Sequence, residues 1–257
     1  MDLKISIISV CYNSSKTILD TIRSVNSQSY PNIEHVFIDG LSSDNTLEII
    51  RSNSKKKNVI ISEKDSGLYD AINKGILNAT GDVIGLLHSD DILYSSEIIS
   101  DLIAKIYDEN LDGVYGDLQY VDKKNTNKII RLWKSCEFNS NLLGKGWMPA
   151  HPTLILKKEV YSKHGVFNKS FKIAADYDFM LRILKDSNLK FGYLPKVVTK
   201  MRVGGASNRS IKNIIKKSKE DYRVIRSNNI GGIITLLLKN TSKIKQFFIK
   251  SKSFSIK

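Results

Sequence analysis

Cysteine is scarce. The 257 residues contain two, Cys11 and Cys136, far apart and without metal-ligand spacing. That argues against a disulfide framework and fits a reducing compartment. Cys11 ends an apolar run, where a thiol serves as a small buried hydrophobe. Long apolar runs are absent too. The longest in the C-terminal region is the nine residues from Ile230 to Leu238, two of them glycine, against the roughly 20 needed to span a bilayer. The N-terminus, Met-Asp-Leu-Lys-Ile-Ser-Ile-Ile-Ser-Val, lacks the apolar region and small-residue cleavage site of a signal peptide. Phosphate-cradling glycines are also missing. The loop Cys11-Tyr12-Asn13-Ser14 has none, and Gly-x-x-x-x-Gly-Lys-Ser/Thr occurs nowhere. An ordinary NAD enzyme and a P-loop phosphotransferase are therefore disfavoured.

Acidic residues are scarce at one end. Residues 209–257 hold 13 Lys/Arg and 2 Asp/Glu, a balance of +11 out of +14. Residues 1–208 are nearly neutral, at +3. A basic tail points to an anionic partner: a membrane surface, nucleic acid or an acidic substrate. The rest has what a globular domain needs. With 41% hydrophobic residues it can bury a full core, and neither an internal repeat nor a low-complexity linker interrupts it.

Short apolar runs alternate with helical patterns through the first half. Strands are expected at 4–10, 33–38, 59–62 and 82–87, and helices at 14–27, 47–52, 70–78 and 97–107. Asp44 reads as the cap of the second helix. This β-α-β-α order predicts a doubly wound, mostly parallel sheet. After residue 112 the pattern changes to antiparallel strands at 113–122 and 128–133, a strand at 152–157, a helix at 175–186, extended chain at 191–202 and a basic helix at 210–226. The remainder reads as an amphipathic, partly ordered tail.

The chemistry lies in carboxylates. The apolar strand 82–87 runs into Asp90 and Asp91, at the end where open α/β sheets bind ligands. Adjacent carboxylates there suit a divalent cation shared with a substrate diphosphate; a turn with a helix cap is the plainer alternative. Asp39 and Asp65 follow the second and third strands. Each is either a turn former or an acceptor for a base N–H or ribose hydroxyl. Three successive strands delivering a carboxylate to one sheet edge favours the second reading. Asp176 and Asp178 open a helix, where negative charge is favourable, and one of them is a candidate general base. His151 is either a structural histidine or a contact to acceptor or diphosphate.

Taken together, Ile8-Ser9-Val10-Cys11-Tyr12-Asn13, Ile38-Asp39-Gly40-Leu41-Ser42-Ser43-Asp44-Asn45-Thr46, Gly67-Leu68-Tyr69-Asp70-Ala71-Ile72-Asn73-Lys74-Gly75, Ala79-Thr80-Gly81-Asp82 and Ser89-Asp90-Asp91 resemble a family 2 glycosyltransferase of GT-A fold, of the bacterial O-antigen or capsule polysaccharide type. His151-Pro152-Thr153 and Ala174-Ala175-Asp176-Tyr177-Asp178 extend the resemblance to about residue 205. It implies inverting transfer of one sugar from a nucleotide-diphosphate donor, a UDP-sugar, with Mn²⁺ or Mg²⁺. Tyr12, Asn13, Asp39, Asp65, Asn73, Lys74 and Asp90 would bind the nucleotide-sugar. Asp90 and Asp91 would match the metal-binding Asp-x-Asp motif, and Asp176 the catalytic base. His88, His151 and Asp178 would contact acceptor or diphosphate. Residues 1–208 would be the transferase domain, with a nucleotide-sugar half at 1–112 and an acceptor half at 113–208. Residues 209–257 would be a basic amphipathic tail.

The sequence departs from the family pattern in two places. His88 replaces the leading aspartate of Asp-x-Asp-Asp, leaving Asp90 and Asp91 to hold the cation. The Gln-x-x-Arg-Trp motif and membrane helices of processive synthases are absent, so a single sugar per acceptor is expected. The acceptor would be a polyprenyl-diphosphate-linked saccharide. The enzyme would sit in the cytoplasm, peripheral on the inner face of the plasma membrane through its basic tail. Gly204-Gly205-Ala206-Ser207 would close over the donor. Two other readings compete. A nucleotide-sugar pyrophosphorylase would need a glycine-rich basic loop after the first strand, which is missing. A nucleic-acid-binding protein would need more than a basic tail on a neutral body, so no nucleic acid is expected.

Overall fold

The computed structural model describes residues 3–204 and 211–248. Four parallel strands form one half of the sheet: β1 (Ile5–Cys11), β2 (Ile33–Asp39), β3 (Lys57–Ser62) and β4 (Val83–Leu86). Three helices alternate with them: α1 (Ile18–Asn26), α2 (Thr46–Asn53) and α3 (Leu68–Asn78). β1 and β2 are buried along their whole length, as strands covered on both faces must be. Side chains along β1 alternate between two cores. Ile8 and Val10 pack on the side of α3, while Ile5 and Ile7 pack on the side of α4 (Ile98–Asp108). α3 lies close on β1 because Gly75 has no side chain: a Cβ there would come within 2.4 Å of Ile8 Cγ2.

The second half is mixed. β5 (Ile92–Leu93), β6 (Gly113–Val121), β7 (Ile129–Trp133), β8 (Ile155–Lys157) and β9 (Phe191–Arg202) complete the order β3-β2-β1-β4-β8-β6-β9-β5, with β7 paired to β6. β8 is antiparallel to β4 and β6, and β6 is parallel to β9. The doubly wound, mostly parallel sheet with a small antiparallel addition is thus the observed architecture. The antiparallel pair expected at 113–133 is β6 and β7. The strand expected at 152–157 is shorter, because a 3-10 turn at His151–Thr153 precedes β8. α2 begins at Thr46 with Asn45 at the cap position, and Asp44 instead accepts the Thr46 N–H at 3.1 Å.

α5 (Asn141–Gly144) and α6 (Lys158–His164) precede the helix that carries the candidate base, α7 (Ala175–Leu184). α8 (Ile211–Ser227) and α9 (Ile233–Phe248) form the helical C-terminal portion. Val224, Ile225 and Leu236 join the same core as Tyr177 and Phe179.

Candidate active site

Parallel strands bring their C-terminal ends to one edge, and the loops beyond β1, β2, β3 and β4 meet there. The β1 and β2 loops are tied together. Asn13 adopts φ 48, a left-handed conformation that asparagine tolerates. Its N–H donates to Ser42 Oγ at 2.8 Å, and its Oδ1 accepts the Ser43 N–H at 2.9 Å. Asp39 ends β2 fully buried. Its carboxylate accepts the Ser42 N–H and the Ser42 and Ser62 hydroxyls, at 3.0, 2.5 and 2.7 Å. Asp39 therefore anchors the loops around this edge.

Asp65 is half-buried and lies against Gly40, where a Cβ would meet Asp65 Oδ2 at 2.6 Å and Tyr12 Cδ2 at 3.5 Å. Tyr12 is 67% exposed. Tyr12, Gly40 and Asp65 thus put an aromatic face near a carboxylate whose Oδ1 accepts the Gly67 N–H at 2.9 Å. Lys74 stands by this group, its Nζ 2.7 Å from Glu63 Oε1, and that carboxylate raises its pKa. Asn73 departs from the expectation of donor binding. It is buried, and its amide exchanges two hydrogen bonds with the Phe167 backbone, at 2.8 and 2.9 Å. It ties α3 to the chain before α7, because α3 turns this side chain away from the cleft.

Beyond β4, Asp90 is half-buried and Asp91 is fully enclosed. Burial raises the pKa of both, and the Asp90 charge raises Asp91 further. Neither Asp91 carboxylate oxygen has a hydrogen-bond partner among the described residues. A buried carboxylate without donors is costly, and a cation relieves that cost. Among the described residues no cluster of three or more His, Cys, Asp or Glu could cage a metal. The pair therefore fits a cation that takes its remaining ligands from substrate phosphates and water. Arg202, from the end of β9, donates to the Asp90 carbonyl at 2.6 Å and pairs with Asp20.

The other wall is α7. Asp176 is 20% exposed, with Oδ2 3.2 Å from His151 Nδ1. Its Oδ1 accepts the Tyr177 N–H at 2.8 Å and lies 3.3 Å from the Tyr69 hydroxyl. Burial would raise its pKa, but the His151 imidazole, the Lys239 ammonium and the Tyr177 N–H outweigh it and hold the carboxyl well below its usual range. His88 meets His151 edge-on, ring centroids 5.8 Å apart. His151 thus links the end of β4 to Asp176 on α7. Burial, then the neighbouring His151, lowers the His88 pKa to about 3. Asp178 corrects the expectation of an acceptor contact. It is buried, 3.0 Å from Arg182 Nε, and accepts from Asn228 at 3.1 Å. Two residues, about 200° of helix, separate it from Asp176, so the two carboxylates face opposite sides of α7. Tyr177 and Trp147, two aromatics that could have stacked on sugar, belong to the core or pack against it.

Sequence reasoning missed four supporting residues. They are Arg202, Tyr69, Lys239 and Glu220, whose carboxylate accepts the Ile173 and Ala174 N–H groups at 2.8 and 3.1 Å and so caps α7. The expected donor-closing segment lies, beyond Gly204, outside the described residues.

Residues 6–173 match the profile described as Glycosyl transferase family 2, and the chain belongs to that family. It is a glycosyltransferase. A PGL/p-HBAD biosynthesis glycosyltransferase of Mycobacterium bovis is 30% identical over 208 residues, 79% of this chain and 78% of the relative. The Escherichia coli UDP-Glc:alpha-D-GlcNAc-diphosphoundecaprenol beta-1,3-glucosyltransferase WfgD is 28% identical over 226 residues, 87% of this chain and 86% of that one. Among solved structures, S. aureus TarS 1-349 in complex with UDP matches with a TM-score of 0.70 at 22% identity, covering 98% of this chain and 73% of that one. The match to the longer TarS chain spans 39% of it. The mannosyltransferase PcManGT from Pyrobaculum calidifontis, in complex with GDP-Man and Mn²⁺, matches at TM-score 0.67 and 16% identity, covering 98% and 77%. At these identities the solved structures establish the GT-A fold.

Proposed function

We propose that this glycosyltransferase moves one sugar, with inversion, from a UDP-sugar to a polyprenyl-diphosphate-linked saccharide in bacterial surface polysaccharide assembly. The observation that carries the reading is that His151 contacts both Asp176 on α7 and His88, which precedes Asp90 and Asp91 by two and three residues in the loop beyond β4. The names of WfgD and of the UDP-bound TarS structure support the donor and acceptor classes.

In this reading residues 1–112 bind the nucleotide-sugar and 113–208 the acceptor. The base rests on Tyr12, Asp65 accepts from the nucleotide, and Asp39 with Asn13 and Lys74 holds the surrounding loops. Asp90 and Asp91 hold Mn²⁺ or Mg²⁺; when bound, the cation neutralises charge developing on the leaving diphosphate. Asp176 takes the proton from the acceptor hydroxyl while that oxygen attacks the anomeric carbon from the face opposite the diphosphate. The carboxylate is worth roughly 10²–10⁴ in rate. Its lowered pKa keeps it ionised and ready across the physiological range. Residues 209–257 hold the enzyme against the anionic inner face of the plasma membrane.

The test is an assay of UDP-sugars with an undecaprenyl-diphosphate-linked N-acetylhexosamine, reading the anomeric configuration of the product by NMR. A β-linkage from an α-linked donor, lost in EDTA and restored by Mn²⁺ or Mg²⁺, is expected. Retention of configuration, or full activity in EDTA, contradicts the reading.

A further inference from the structure

The two acids of the C-terminal region both face inward. Glu220 is 6% exposed and is spent on capping α7. Asp221 is 1% exposed and pairs with Lys217 at 2.7 Å and Lys239 at 2.6 Å. Lys216, Lys219, Arg223 and Arg226 of α8 stay exposed. With its only two acids internal, the outer surface of this region has no negative charge to offset its cations.

Over residues 233–242, α9 turns most of its aliphatic side chains outward. Helices on globular proteins bury their apolar stripe. Here Thr235, Leu236 and Lys239 face the body, while Ile233, Ile234, Leu237 and Leu238 are 59%, 71%, 56% and 43% exposed. Lys239 fixes this orientation. Its Nζ lies 2.6 Å from Asp221 and 3.5 Å from the Tyr177 ring centroid. Its Cβ rests against Gly146, where an added Cβ would come within 2.5 Å of it. Rolling the aliphatic side chains inward would pull the ammonium off a buried carboxylate. Nothing in the helix can cross a bilayer: among the described residues no helix is long and apolar enough.

We propose that the outward face of α9 is an interfacial seat for an anionic lipid bilayer. Ile233, Ile234, Leu237 and Leu238 enter the headgroup boundary, and the exposed cations of α8 pair with anionic headgroups. A bilayer is favoured over a second copy of the chain because like-charged surfaces repel, whereas anionic lipid matches both the aliphatic and the cationic component. The seat is also fastened, through Lys239 and Tyr177, beside the base on α7, as an acceptor held at a bilayer requires. This inference rests on the membrane-linked acceptor proposed above.

The test is co-sedimentation of the full chain with vesicles of phosphatidylcholine and phosphatidylglycerol, and with phosphatidylcholine alone. The expected result is salt-sensitive binding that requires phosphatidylglycerol. The double variant Ile234→Asp/Leu237→Asp should bind about tenfold or more weakly, and Lys216→Glu/Lys219→Glu should lose most of the dependence on anionic lipid. Both should keep the wild-type melting temperature and rate of transfer to a short soluble acceptor. Equal binding by wild type and the aspartate variant overturns the proposal. So does a wild-type dimer, seen by sedimentation, that the aspartate variant dissolves while vesicles are ignored. Vesicle binding without any sugar transfer supports the seat and sinks the transfer reading; transfer without vesicle binding does the reverse.

Discussion

His151 Nδ1 lies 3.2 Å from Asp176 Oδ2, and this contact governs the charge of the residue placed as the base. Asp176→Asn should cut kcat by roughly 10²–10⁴ with donor KM nearly unchanged. His151→Gln is the more informative variant. His151 is the chief group holding the Asp176 pKa down, so removing it lets that pKa rise. The acid limb of the kcat/KM profile should then move to higher pH, while activity on the alkaline side falls less. A His151→Gln profile that overlays the wild type, scaled only in height, would show that the histidine does not tune the base.

Asp91 gives a prediction in which stability and activity part company. Its carboxylate is buried, lacks donors among the described residues, and has its pKa raised well above the ordinary value by burial and by Asp90. A raised folded-state pKa means the folded form holds its proton more tightly than the unfolded chain. Stability is therefore lost as pH rises through the carboxylate range. Asp91→Asn removes that penalty. Without metal the variant should be more stable by about 1–3 kcal/mol, seen as a higher melting temperature at neutral pH. Mn²⁺ with UDP should stabilise the wild type and not the variant, and the variant should not transfer sugar.

The strand–helix order of residues 4–112 was readable because β1 and β2 are buried on both faces and so are rich in Ile, Val and Phe, broken only by Ser6, Ser9, Glu34 and His35 before their closing Cys11 and Asp39. The shared edge of Asp39, Asp65 and Asp90 followed from parallel pairing. Side-chain direction did not follow. Asn73 and Asp178 sit within motif segments yet face Phe167 and Arg182, because a helix turns by about 100° per residue and adjacent positions serve different surfaces. Arg202 reaches Asp90 across 112 positions, a pairing that no local pattern encodes. α9 was hidden for another reason: its outward aliphatics and inward lysine invert the usual helical pattern.

Lys239 and Asp221 form a buried pair with side chains 4% and 1% exposed. Breaking such a pair from one side strands a charge, typically at 3–5 kcal/mol. Here Lys217 still contacts Asp221 at 2.7 Å, so Lys239→Met should cost less, about 2–3 kcal/mol. Adding Asp221→Asn to Lys239→Met should recover at least about 1 kcal/mol of that loss. Urea denaturation of the two single variants and the double variant measures the coupling. Strict additivity would mean that the pair contributes no interaction energy.

The last prediction concerns His35, which is fully buried on β2. Its Nε2 lies 2.9 Å from Ser9 Oγ, and Ser9 in turn donates to the Leu87 carbonyl at 2.6 Å. Since the serine proton is committed to Leu87, Nε2 carries the imidazole proton and Nδ1 is left with a bare lone pair. Nδ1 has no partner among the described residues. A second proton there would be buried without an acceptor, and burial lowers the pKa from 6.5 to about 3. Between those values the unfolded chain binds a proton that the folded protein refuses. This contribution to stability is therefore present above pH 6.5 and is lost as pH falls towards 3. His88, also lowered to about 3, acts with the same sign, while the raised Asp90 and Asp91 act against it. The clean measurement is therefore a difference. Between pH 6.5 and 5.0, His35→Leu should gain on the order of 2 kcal/mol relative to wild type. Parallel denaturation curves for the two proteins at both pH values would refute the assignment.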